Sequence, residues 1–120
     1  MNNILVINGP NLNLLGKREP DIYGNITLEN INQKIKLHFK NEDLKIHFFQ
    51  SNEEGKIIDK IIESEKKYNA IVINPAAYSH YSIAILDAMR SINIPVVEVH
   101  LSNIYKREEY RKNLLLQKLP

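Results

Sequence analysis

Four short apolar runs punctuate the chain: ILVI at 4–7, LKIHFF at 44–49, AIVI at 70–73 and IPVVEV at 94–99. The first and third are continuous and rich in β-branched residues, the pattern of strands buried on both faces. Between the runs the apolar spacing becomes helical. After Thr27, the residues Leu28, Ile31, Ile35 and Leu37 to Phe39 recur about once per turn, and Thr27 with Asn30 is placed to cap the start. Ile57, Ile58, Ile61 and Ile62, set among charges, predict a second helix. Ile83, Leu86 and Met89 form one stripe of a third, from about Ser79 to Ser91, with Ser79 as its N-cap. Strands alternating with helical crossovers predict an α/β fold with a doubly wound parallel sheet and helices on both faces.

In such a sheet, ligands sit outside the carboxyl ends of the strands, where the strand order reverses. The polar residues of this chain follow those ends. NGPN succeeds the first strand, QSN the second and NPAAYSH the third, while EVHLSN closes and follows the fourth. A turn explains any one Asn. Asn at all four ends points to one shared polar site.

Composition narrows the function classes. At 120 residues the chain is expected to form one domain, 1–120. Sixteen basic against fourteen acidic residues leave a net charge of +2, too little to argue for a nucleic acid or membrane surface. The densest basic run, Tyr105 to Lys112, also carries Glu108 and Glu109 and fits a solvated helix face. Cysteine is absent, which removes disulfides and thiolate chemistry. The start runs straight into an apolar strand without a leader pattern, and no apolar run reaches membrane-spanning length, so a soluble, cytoplasmic protein is expected.

The candidate chemistry begins with NGPNLNLLGKREPDIYG, Asn8 to Gly24, seventeen residues where a plain connector takes about 4–6. It is not a phosphate loop: six residues separate Gly9 from Gly16, and Lys17 is followed by Arg18 rather than Ser or Thr. Arg18 and Tyr23 fit either an exposed loop arginine beside a rim tyrosine, or a tyrosinate base beside its cation. Ionising a tyrosine at neutrality takes about 4 kcal/mol. One cation at about 4 Å, at an effective dielectric of ~20, supplies about that much. Glu98 and His100 alternate on one strand face, the arrangement of an imidazole oriented by a carboxylate for acid–base work. Glu98, His100 and His80 as three metal ligands is the alternative, without supporting HxH or HxxxH spacing. His38 and His47 lack polar company and fit structural roles. Asn74 and His80 are surplus to the capping that Ser79 would provide, and Asp87 fits a polar helix face. Leu101 and Ser102 could offer backbone N–H groups to an anion if Ser102 opens a helix.

Taken together, NGPNLNLLGKREPDIYG, QSNEEG, NPAAYSHYSIAILDA and PVVEVHLSNIYKREEYR, in order across residues 4–111, resemble the type II 3-dehydroquinate dehydratases (type II dehydroquinases). The resemblance implies a flavodoxin-like fold and a lyase of the shikimate pathway, on the route to chorismate and the aromatic amino acids. The substrate would be 3-dehydroquinate, dehydrated to 3-dehydroshikimate by anti elimination through an enolate, with no cofactor and no metal. It implies that Asn8 to Gly24 is a lid loop in which Tyr23, beside Arg18, is the base. Asn11 would stabilise the enolate through a held water, and His100, oriented by Glu98, would protonate the leaving hydroxyl. Leu101 and Ser102 would bind the substrate carboxylate, Asn74, His80 and Arg111 its ring substituents or carboxylate, and Arg107 would add a cation near the tyrosine. Asp87 would act across a subunit interface in trimers grouped into a dodecamer.

Three positions depart from that pattern. Ala76 stands where the family has Gly, and Tyr81 where it has a small Thr. The closing KNLLLQKLP, residues 112–120, is not family-like, and a fifth strand is missing, so four strands are expected. The alternatives are a truncated, inactive remnant of the enzyme and a flavodoxin-like module for a small ligand.

Overall fold

The alternation of apolar runs becomes alternating strands and helices in a computed structural model, which describes residues 2–17, 25–80 and 82–100. Strand β1 (Asn2–Asn8) leads to a 3₁₀ turn, Leu12–Leu14, and helix α1 (Leu28–His38) precedes β2 (Leu44–Gln50). Helix α2 (Glu54–Ser64) connects to β3 (Ala70–Asn74), a 3₁₀ segment Ala76–His80 follows, and α3 (Ile83–Ser91) leads into β4 (Val96–Glu98). The four strands form one parallel sheet in the order β2-β1-β3-β4. The order reverses between β1 and β3, because the chain first steps from β1 to β2 and then crosses back over β1 to β3. Right-handed crossovers therefore put α1 on one face and α2 with α3 on the other.

The second face holds the core. Alternate residues of the central strands, Leu5 and Ile7 opposite Ile71 and Ile73, meet Ile57 and Ile61 of α2 and Ile85, Ala88 and Met89 of α3. Leu5, Ile7, Ile57, Ile61, Ile71, Ile73 and Ile85 are sealed from solvent, each contributing about 1.5–3 kcal/mol by burial. The first face is thinner. Lys36 of α1 lies over the Phe48 ring at 5.5 Å, Val6 is buried, and α1 itself buries no residue. That helix is held at its start by a reciprocal cap: Thr27 Oγ1 accepts the Asn30 N–H and Asn30 Oδ1 accepts the Thr27 N–H, both at 3.1 Å.

Two expectations need correction. Ser79 is not the N-cap of the third helix. Residues 76–80 wind into a tighter turn first, in which the Ser79 hydroxyl donates to the Ala76 carbonyl at 2.8 Å. The N-cap lies three residues later, at Ser82, whose Oγ accepts the Ile85 N–H, and the helix begins at Ile83. The fourth strand is shorter than the apolar run at 94–99, although ladder bonds from Ile71 N–H to Pro95 O and from Val99 N–H to Ile73 O extend its pairing at both ends. No helix among the described residues is long and apolar enough to cross a membrane.

Candidate active site

Register brings the polar strand ends level. Asn8 pairs with Gln50 of β2 and with Asn74 of β3, so three amide side chains close three adjacent strands. The ladder runs one residue further, from Gly9 N–H to Asn74 O at 2.8 Å and from Ser51 N–H to Asn8 O at 3.1 Å. Gly9 is required by this approach: a Cβ there would lie 2.5 Å from the Pro75 carbonyl oxygen. The chain segments leaving β1 and β3 thus touch backbone to backbone.

Two residues on, Asn11 turns left-handed, with φ 67° and ψ −2°, at the head of the 3₁₀ turn Leu12–Leu14. Asn tolerates this region better than most residues. The Asn11 side chain makes no cap bond, while its backbone N–H donates to Asn52 Oδ1 at 2.9 Å. Gln50 Nε2 donates to that same oxygen and to the Gly9 carbonyl, both at 3.1 Å. The Tyr78 hydroxyl, from beyond β3, donates to the Asn52 carbonyl at 2.9 Å.

After β3, Asn74 is 4% exposed, and its Oδ1 accepts the Ala76 N–H at 3.1 Å. That turn leaves Ala76 at φ 53°, a region costly for any residue with a Cβ and the physical counterpart of the glycine expected there. Ser79 is buried beneath the segment and partly buried His80 ends it. Ser82 closes the connection by donating to Glu54 Oε2 of α2 at 2.6 Å.

At the end of β4, Glu98 and His100 share a face as the alternation requires. His100 Nε2 lies 2.9 Å from Glu98 Oε2, with side chains 13% and 12% exposed. A carboxylate only accepts, so Nε2–H points at Glu98 and fixes the ring's orientation, which leaves Nδ1 as the nitrogen able to carry a transferable proton. The second oxygen, Glu98 Oε1, is buried with no hydrogen-bond partner among the described residues. Glu98, His100 and His80 do not assemble as three ligands: the described residues contain no group able to hold a metal ion. His47 packs edge-on against Tyr68 at 5.3 Å and His38 edge-on against Phe39 at 4.7 Å.

Asn11, Asn74, Glu98 and His100 therefore gather at the carboxyl ends of β1, β3 and β4, with His80 on the segment leaving β3. Asp87 stands apart on the exposed side of α3, opposite buried Ile85, Ala88 and Met89. Arg18, Tyr23, Leu101, Ser102, Arg107 and Arg111, like Tyr81, lie outside the described residues. The network through Gln50, Asn52 and Tyr78 was not assigned from sequence. Its only signal was QSN, set at a strand end.

Comparison with known proteins bears on this arrangement. The family model described as dehydroquinase class II matches residues 2–119. A 3-dehydroquinate dehydratase of Clostridium botulinum (strain Hall) is 99% identical over 112 residues, covering 93% of this chain and 76% of that protein. One from Francisella philomiragia is 60% identical over 113 residues, with 94% and 77% covered. Among solved structures, a type II dehydroquinase from Butyrivibrio crossotus superposes with a TM-score of 0.91 at 49% identity, over 96% of this chain and 81% of that one. A 3-dehydroquinate dehydratase-like protein from Bifidobacterium longum gives 0.66 at 29% identity, covering 86% and 74%.

Proposed function

The chain belongs to the class II dehydroquinase family, and from that membership we propose that it eliminates water from 3-dehydroquinate to form 3-dehydroshikimate in the shikimate pathway. The observation that carries the assignment is the shielded Glu98–His100 pair, at the end of β4 next to the end of β3 that bears Asn74. Tyr23, ionised beside Arg18 with Arg107 as a further cation, takes the proton next to the ketone. The electron pair moves into an enolate, whose oxygen Asn11 stabilises through a water, in the manner of an oxyanion hole. The carbonyl then re-forms, the carbon–oxygen bond on the adjoining carbon breaks, and His100 delivers a proton so that hydroxide leaves as water. Glu98 stabilises the charged imidazole before that transfer. Leu101 and Ser102 hold the substrate carboxylate, with Asn74, His80 and Arg111 on its ring substituents or carboxylate.

Residues 1–120 act as one domain in this scheme, in the cytoplasm. Copies assemble as trimers within a dodecamer, with Asp87 reaching a neighbouring site. The exposed setting of Asp87 on α3, close to the 69% exposed Ile83, supports that placement.

The test is elimination of 3-dehydroquinate followed by the ultraviolet absorbance of the conjugated product. Turnover that disappears in Tyr23→Phe, with substrate binding kept within about threefold, is the expected result. Soluble, folded protein without turnover would overturn the proposed activity, and normal turnover in the variant would remove tyrosine from the base role.

A further inference from the structure

We propose that Asn52, held by Gln50, is a positioning residue that sets Asn11 for its work on the enolate; this rests on the dehydratase function proposed above. Asn52 Oδ1 receives two donors, the Asn11 backbone N–H at 2.9 Å and Gln50 Nε2 at 3.1 Å. Two converging N–H groups demand an oxygen there, so the amide of Asn52 has one orientation. Gln50 Nε2 is equally determined, because the Gly9 carbonyl at 3.1 Å and Asn13 Oδ1 at 3.5 Å are also acceptors.

The consequence is geometric. Gly9 is already fixed against Pro75, and the Gln50 bond holds its carbonyl, two residues before Asn11. The Asn52 bond then fixes the peptide of Asn11 itself, in a left-handed conformation that a free chain populates sparsely. Tyr78 ties the same residue to the segment carrying His80, by donating to the Asn52 carbonyl. One exposed asparagine at the end of β2 thereby sets segments that follow β1 and β3, both of which bear candidate site residues. Hydrogen bonds this exposed stabilise a fold little, but a displacement of about 1 Å at a catalytic group can cost about 100-fold in rate. The expected signature is a loss in turnover without a matching loss of stability.

The experiment measures kcat and KM for Asn52→Ala, Asn52→Asp, Gln50→Glu, Asn11→Ala and the Asn11→Ala/Asn52→Ala double variant. Thermal melts and amide hydrogen exchange over residues 9–15 accompany the kinetics. Asn52→Ala is expected to lower kcat about 10- to 100-fold with KM within about threefold. Asn52→Asp keeps the accepting oxygen and should recover to within about threefold of the parent. Gln50→Glu sets a carboxylate against three acceptors and should resemble Asn52→Ala. If Asn52 acts through Asn11, the double variant falls no lower than Asn11→Ala alone. Unchanged kcat in Asn52→Ala, failure of the Asp variant to rescue, or losses that multiply in the double variant would each overturn the proposal. Should the parent chain show no turnover, the dehydratase function falls and exchange decides the positioning. Exchange at the Asn11 amide about tenfold faster or more in Asn52→Ala but not in Asn52→Asp supports it; unaltered exchange overturns it.

Discussion

Gly9→Ala tests the contact on which the level strand ends depend. The added methyl would meet three backbone atoms of Pro75: its carbonyl oxygen at 2.5 Å, the carbonyl carbon at 2.7 Å and Cα at 3.1 Å. A close carbon–oxygen contact is about 3.3 Å, so the overlap is about 0.8 Å and no side-chain rotation relieves it. The chain segments leaving β1 and β3 must separate, which pulls on the 2.8 Å bond from Gly9 N–H to Asn74 O. Overpacking of this kind costs about 1–3 kcal/mol. Loss of the backbone bond adds about 0.5–1.5 kcal/mol. A destabilisation of about 1.5–4.5 kcal/mol follows, large against the usual 5–15 kcal/mol of a domain. Urea unfolding followed by circular dichroism should show the midpoint lowered by more than about 1 M with little change in slope. Gly55→Ala is the internal control. A Cβ at Gly55 meets nothing within 4 Å and the residue lies in α2, so that variant should gain up to about 0.5–1 kcal/mol. A Gly9→Ala midpoint within about 0.3 M of the parent would refute the close-approach reasoning.

Ala76→Gly should stabilise the protein. Relief of the left-handed alanine is worth about 1–2 kcal/mol, offset by about 0.4–1 kcal/mol for the freer unfolded glycine chain, and the net gain of about 0.5–1 kcal/mol should appear as a Tm raised by about 2–5 °C. Glu98→Gln should lower kcat about tenfold or more, because a neutral amide orients the His100 ring without stabilising its charged form. Its urea midpoint should not fall, since no described residue donates to the buried Oε1 and a charged carboxylate costs more to bury there than a neutral amide. Thr27→Ala should cost about 1 kcal/mol by removing the reciprocal cap on α1, and faster amide exchange at the start of that helix would report it.

The order of elements and the α/β class followed from the sequence because strands and helices leave local signatures. Continuous β-branched runs marked β1 and β3, helical spacing marked α1 and α2, and the Thr27–Asn30 cap needed only residues three apart. Alternation alone put Glu98 and His100 on one face. The third helix was misjudged at its start because Ser79 and Ser82 are equally good caps in sequence. Packing separated them, by burying Ser79 under Ala76 and offering Ser82 a carboxylate from α2.

The resemblance to a family supplied the expected roles, and only the tertiary structure shows which asparagine side-chain oxygens are already engaged. Asn74 spends its oxygen on the Ala76 turn, Asn52 spends its own on the Asn11 backbone, and the Asn11 side chain is not spent on its turn. The sheet order and the pairing of Asn8 with Gln50 and Asn74 join segments tens of residues apart in the chain. Such contacts form only when the sheet closes, and no local pattern around Gln50 or Gly9 carries them.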